Sequence, residues 1–138
     1  MRCYPPSQEN KNRVQYLLDT HVLLWWLTTP DEISHSAKKI ISNKSNTIFI
    51  SSVSFWEMAI KKSLGRLTFP HNLLEIVASE SFLTLPITPE EGLGVTDLPP
   101  IYSNPFDRLL VIQAKLHHLT LISRDSQFKK YPITLLKA

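Results

Sequence analysis

The 138-residue sequence holds only one cysteine and three glycines. The lone Cys3 can form neither an internal disulfide nor a cysteine-built zinc site, so a reducing, cytosolic setting is expected. Gly65, Gly92 and Gly94 are too few and too scattered for a Walker loop or a G-x-G-x-x-G turn, which excludes a glycine loop that cradles nucleotide phosphates. Long apolar runs are missing as well. The longest, Val22–Leu27, has six residues, against the roughly 20 that span a bilayer, so no membrane partner is expected. Nor is there a large charge of one sign: 15 Lys+Arg against 12 Asp+Glu leaves a net +3, a slight lean towards a polyanion. Internal repeats and low-complexity tracts are absent.

What is present is an average hydrophobic content, 43%, over a length close to one domain, enough to bury a sizeable core. Met1–Arg13 is polar, carries Pro5-Pro6 and lacks the apolar centre of a secretory signal. It reads as a flexible N-terminal tail (1–13) ahead of one domain (14–138). From Val14 onward, short aliphatic runs alternate with segments of helical spacing. Strands are expected at Val14–Leu18, Thr47–Ser51, Leu83–Ile87 and Leu119–Ser123, with a weaker fifth at Ile133–Leu136. Thr88-Pro89 and Asn104-Pro105 place proline at a first helical position behind a capping residue. Strands separated by helices require crossovers, and crossovers imply a doubly wound α/β fold with a mostly parallel sheet. In such sheets ligands bind beyond the carboxyl ends of the strands, near the topological switch point.

Four acids stand out against that plan. Asp19 and Asp125 each follow a predicted strand, where an N-cap role is the plain alternative. Glu57 lies within Ser52–Leu67, with Val53, Ile60 and Leu64 at i−4, i+3 and i+7. A carboxylate on an aliphatic face is costly without a partner, although Ser54 could close a capping box with it. Asp107 has Leu110, Val111 and Ala114 at i+3, i+4 and i+7, and its plain alternative is an acid in a first turn, favoured by the helix dipole. Together the four converge on one edge of one predicted sheet. Such a cluster repels itself unless cations neutralise it, and an all-oxygen set suits Mg²⁺ or Mn²⁺. Divalent ions held this way activate water and stabilise phosphoryl transfer, so phosphodiester hydrolysis is the implied chemistry.

The residues around these acids resemble those of PIN-domain ribonucleases of the VapC-like toxin type. Leu17-Leu18-Asp19-Thr20-His21 is similar to the family's opening segment. Ser51–Lys61 resembles the helix bearing its second acid, Asn104–Leu110 the third-acid segment, and Leu121–Asp125 the fourth. The likeness runs from about Tyr16 to Leu136. It implies an α/β/α sandwich around a parallel sheet of four to five strands, and metal-dependent endoribonuclease activity. Asp19, Glu57, Asp107 and Asp125 would form the catalytic metal site, with Asp19 and Asp107 the principal ligands and the Thr20 and Ser123 hydroxyls in support. The expected products are a 5′-phosphate and a 3′-hydroxyl. The likeness also implies an RNA substrate, a small cognate antitoxin and a homodimer. If four of the 12 acids gather in one site, the rest of the chain carries 15 bases against 8 acids, a basic body around an acidic cleft.

Other residues carry weaker signals. His117 and His118 are adjacent near a helix end, where a cationic side chain satisfies carbonyls, while His21 beside Asp19 could equally line the site. Trp25 and Trp26 sit on an apolar helix, and one of them is expected to point outward as part of a partner-binding groove. Lys38, Lys39, Lys44, Lys61, Lys62 and Arg66 read as solvated-face charges, some of which could track an RNA backbone. The alternative function is a non-catalytic nucleic-acid- or protein-binding module whose acids are caps. A phosphoacceptor receiver or an aspartate-based phosphatase would need an acidic pair or a D-x-D after the first strand, and Asp19-Thr20-His21 supplies neither.

Overall fold

The computed structural model describes residues 14–101 and 104–138; the expected N-terminal tail, residues 1–13, lies outside them. Five strands, β1 (Gln15–Leu18), β2 (Thr47–Ser51), β3 (Leu83–Leu85), β4 (Thr120–Ser123) and β5 (Thr134–Lys137), form one sheet in the order β3-β2-β1-β4-β5. Every pairing is parallel, with Leu17 opposite both Phe49 and Leu121. Six α-helices accompany them: α1 (Thr20–Thr28), α2 (His35–Ser42), α3 (Ser52–Ser63), α4 (Leu73–Ser79), α5 (Pro89–Gly94) and α6 (Pro105–Leu116). The doubly wound α/β architecture is therefore as expected.

The strands read as continuous apolar runs because both faces of the sheet are covered. Successive side chains alternate between two cores, as the two-residue period of a strand requires. Tyr16, Leu18, Ile48, Ile50 and Ile122 pack on one face with Val22 and Leu23 of α1, Ala37 and Ile41 of α2, and Leu73 and Val77 of α4. Leu17, Phe49 and Leu121 pack on the other with Leu110, Val111 and Ala114 of α6. Helix α3 contributes to both, Met58 to the first and Val53 to the second.

Several boundaries differ from the sequence-based expectation. β3 stops at Leu85, because Pro86 has no N–H to continue the ladder and Thr88 turns inward as a cap. The Thr88/Glu91 pair closes a full capping box on α5. Helix α3 ends at Ser63 rather than running on towards Leu67. Gly65 adopts φ +72°, its N–H donates to the Lys62 carbonyl and the Arg66 N–H to the Lys61 carbonyl, the paired bonds of a Schellman stop. Leu64 is consequently 60% exposed and does not share the buried face of Glu57. No helix among the described residues is long and apolar enough to cross a membrane.

Strands β1 to β3 wind outward in one direction, and β4 then returns to the other side of β1. The switch point therefore lies between β1 and β4, and the chain leaving each of those strands carries an acid.

Candidate active site

Asp19 leaves β1 with its backbone N–H donating to the Ile122 carbonyl at 3.0 Å, which extends the β1–β4 pairing by one residue. It stands at the N-cap position of α1 but makes no side-chain cap bond. Its Oδ2 instead accepts from Ser123 Oγ at 2.7 Å, across the switch point. The same hydroxyl accepts from the Asp125 N–H at 3.1 Å, so Ser123 ties the two acids into one unit. Asp125 takes the N-cap role expected as its plain alternative and also faces the neighbouring cavity. It caps the 3₁₀ turn Ser126–Lys130 through a bond from the Gln127 N–H to Oδ1 at 3.0 Å, and it lines the cavity described below.

Strand β2 passes into α3 without an intervening loop. Ser51 is the cap, its Oγ accepting from the Val53 N–H at 3.0 Å. The Ser54/Glu57 capping box is therefore not formed, and Ser54 serves differently: Thr20 Oγ1 donates to Ser54 Oγ at 2.8 Å, joining the starts of α1 and α3. The Thr20 hydroxyl thus bonds α3 rather than an acid, while the Thr20 backbone hydrogen-bonds the Asp19 carboxyl. Glu57, one and a half turns into α3, is 5% exposed and its Oε2 meets Lys61 Nζ at 3.0 Å. Helix α6 begins behind Asn104, whose Oδ1 accepts from the Phe106 N–H at 2.8 Å, and this start sets Asp107 in the first turn.

All four acids line one cavity of about 400 Å³, together with His21, Trp25, Lys61, Asn104 and Arg124. Asp107 is pushed up from 3.8 to about 7, first by desolvation and then by repulsion from Asp19, Glu57 and Asp125, with Lys61 opposing. The Asp19 carboxyl is likewise raised, mainly by burial, although the Ser123 hydrogen bond pulls the other way. The protein thus gathers negative charge here that its own cations leave uncompensated.

An oxygen-only donor set under mutual repulsion fits a hard divalent cation such as Mg²⁺ or Mn²⁺. As the side chains stand, no three His, Cys, Asp or Glu groups among the described residues are drawn together tightly enough to hold an ion. Three of the four acids have partners in the fold: Lys61 for Glu57, Ser123 for Asp19 and the Gln127 N–H for Asp125.

Several neighbours carry more than their sequence pattern suggests. Lys61 is not merely a solvated charge, because its i,i+4 spacing from Glu57, legible in the sequence, places it in the cavity. His21 lines the site. Trp25 stands at the cavity and Arg124 lies over its ring, 4.3 Å from the centroid. Trp26 donates its indole N–H to Glu80 Oε1 at 2.6 Å and packs on Phe82. Both indoles are half-buried, so neither simply points outward. His117, which closes α6, places its Nε2 2.6 Å from Glu91 Oε2.

A parallel sheet with carboxylates at its switch point and a family match together define the class: a model of the PIN domain matches residues 16–133, and the chain belongs to that family. Among curated proteins it is similar to Ribonuclease VapC22 of Mycobacterium tuberculosis, 26% identical over 126 residues, covering 86% of this chain and 96% of the relative. Among solved structures, VapBC2 from Rickettsia felis bound to a promoter DNA fragment matches with a TM-score of 0.69 at 18% identity, covering 90% of this chain and 98% of that one. DNA-bound VapBC from Salmonella typhimurium matches with a TM-score of 0.62 at 19% identity, over the same shares of the two chains. At these identities the structural matches establish the fold.

Proposed function

We propose that this chain is an endoribonuclease that hydrolyses RNA phosphodiester bonds at the acidic cavity, using Mg²⁺ or Mn²⁺, and that it is the toxin of a toxin–antitoxin pair. The observation that carries the chemistry is the convergence of Asp19, Glu57, Asp107 and Asp125, from four separate chain segments, on one cavity where Asp107 is pushed up to about 7. The toxin assignment rests on similarity to a protein named ribonuclease VapC22 and on the shared fold of VapBC complexes. By the same similarity the partners are a cognate antitoxin and a second copy of this chain, and the setting is the cytoplasm.

Asp19 and Asp107 would be the principal metal ligands, and Glu57 and Asp125 would complete the set. A divalent cation bound there supplies a lowered pKa for water and stabilisation of charge on the phosphoryl oxygens. Ser123, donating to Asp19, keeps one carboxylate oxygen fixed. Lys61 pairs with Glu57 until a stronger cation competes for that carboxylate. Asp107 must give up its proton to serve as a ligand, so binding releases a proton near neutral pH.

The test is incubation of the purified protein with total RNA and Mn²⁺, followed by mapping of the cut ends. Cleavage leaving 5′-phosphates is expected, and Glu57→Gln should suppress it at least roughly tenfold, since an amide is a poor ligand for a hard cation. Equal cleavage by Glu57→Gln and the parent would remove Glu57 from the site. No cleavage by the parent, with or without Mn²⁺, would favour the non-catalytic binding module.

A further inference from the structure

An anionic substrate has to enter a cavity lined by four carboxylates and, among the described residues, by only two permanent cations, Lys61 and Arg124. Lys61 is engaged: it lies 3.0 Å from the buried Glu57 carboxylate, with opposite charge at close range. Arg124 is placed differently. Its guanidinium lies over the Trp25 indole, 4.3 Å from the centroid. Among the described residues its terminal nitrogens have distant partners, Glu32 Oε1 at 3.5 Å and the Ala138 carbonyl at 3.5 Å. The Glu32 side chain is 58% exposed, so water competes for that pair and it contributes little. Trp25 is itself backed one helical turn earlier by His21, ring centroids 6.0 Å apart. A planar cation stacked on an aromatic face keeps its orientation while its N–H edges stay available, and those edges match two oxygens of a phosphate.

We propose that Arg124, held over Trp25, is the phosphate-binding arm of this site: it takes an RNA phosphodiester next to the one that is cut, and Trp25 is the positioning residue that keeps the guanidinium plane fixed. This rests on the ribonuclease function proposed for the cavity and adds to it a binding element outside the four acids. Arg124 offsets the repulsion between RNA and the carboxylates during docking, whereas the acids act on the neighbouring phosphate.

The experiment is steady-state cleavage of an RNA that the parent protein cuts, in Mn²⁺, at several salt concentrations, with kcat and KM separated and thermal unfolding of every variant measured alongside. Arg124→Ala should raise KM roughly tenfold with little change in kcat, and flatten the salt dependence by about one phosphate contact, a slope change of roughly 0.7 for single strands. Arg124→Lys should recover only part of the loss, because a point charge lacks the planar fork. Trp25→Leu should raise KM in the parent but add nothing in the Arg124→Ala background, while Trp25→Phe, which keeps an aromatic face, should stay close to the parent. Glu32→Gln separates a direct role from a structural one. If Arg124 meets RNA, releasing it from Glu32 should lower KM about twofold; if Arg124 matters only as a bridge to Glu32, Glu32→Gln should raise KM as Arg124→Ala does. That result, or an unchanged KM and salt slope in folded Arg124→Ala and Arg124→Lys, would overturn the phosphate arm while leaving the ribonuclease function intact. Absence of cleavage by the parent would overturn both.

Discussion

Glu57 and Glu91 are both glutamates near the start of a helix and both withdrawn from water, 5% and 2% exposed, yet they are furnished in opposite ways. Glu91 is fully partnered by the fold. Its Oε1 accepts from the Thr88 N–H at 3.2 Å and from Gln113 Nε2 at 3.1 Å, and its Oε2 lies 2.6 Å from His117 Nε2. Among the described residues Glu57 pairs with Lys61, and it shares its cavity with three more carboxylates, of which Asp107 is pushed up to about 7. A buried charge is tolerated when its hydrogen bonds are supplied. Where the fold supplies them, the acid is architecture; where it gathers carboxylates in one cavity, compensation would have to come from outside the chain, as the proposed function requires.

The contrast can be broken most sharply at Asp19. Asp19→Asn should lower RNA cleavage by at least roughly 100-fold, the scale of losing several kcal/mol of transition-state stabilisation. Its melting temperature should hold, because the amide oxygen can still accept from Ser123. Cleavage assays paired with thermal melts check both halves. Glu91→Ala should do the reverse. Stranding Gln113, the Thr88 N–H and His117 in a buried network should cost roughly 3 kcal/mol in chemical denaturation, with activity per folded molecule kept. A stable Glu91→Ala protein that had lost cleavage would dissolve the distinction.

Asp107→Asn sharpens it through pH. A carboxyl raised from 3.8 to about 7 on folding binds its proton more tightly in the native state, so the metal-free protein loses stability as pH rises from about 4 to 7 and carries the full penalty above 7. The amide removes that penalty. Asp107→Asn should therefore stabilise the metal-free protein by roughly 1–2 kcal/mol at pH 8, a figure reduced for its partial exposure, and by little at pH 4. Denaturant titrations at the two pH values decide it, and an equal gain at both would contradict a charge-based origin. The smallest effect belongs to Thr20→Val, which removes the bond to Ser54 and should cost about 1 kcal/mol, with a modest fall in cleavage as α3 loosens.

Much of the site and the sheet is legible in the sequence alone. Asp19, Glu57, Asp107 and Asp125 stand out because each sits where a pattern ends or is interrupted: after an aliphatic run, or on the apolar stripe of a helix. β1, β2 and β4 are legible as runs buried on both faces. The helix stop after Ser63 is encoded in Gly65, but the aliphatic spacing of Leu64 and Leu67 masks it until the φ of the glycine is known. What no local pattern reveals is contact between distant segments. Ser123 with Asp19, Thr20 with Ser54 and Arg124 with Trp25 are each separated by more than 30 positions, and neither the 3.6-residue nor the two-residue period relates such pairs. The partnering of Glu91 is hidden for the same reason, since only its capping box is local.

The order of the strands also sets a timetable. β1 is synthesised well before β4, with 104 positions separating Asp19 from Ser123, yet the two strands are neighbours in the sheet and their ends carry the two acids that Ser123 joins. A growing chain that has not yet produced residues 120–125 has Asp19 and Glu57 but lacks the strand that aligns the first and the acid that completes the set. The cavity is therefore formed only after residues 120–125 have left the ribosome, and the acids made before them cannot act as a set until then.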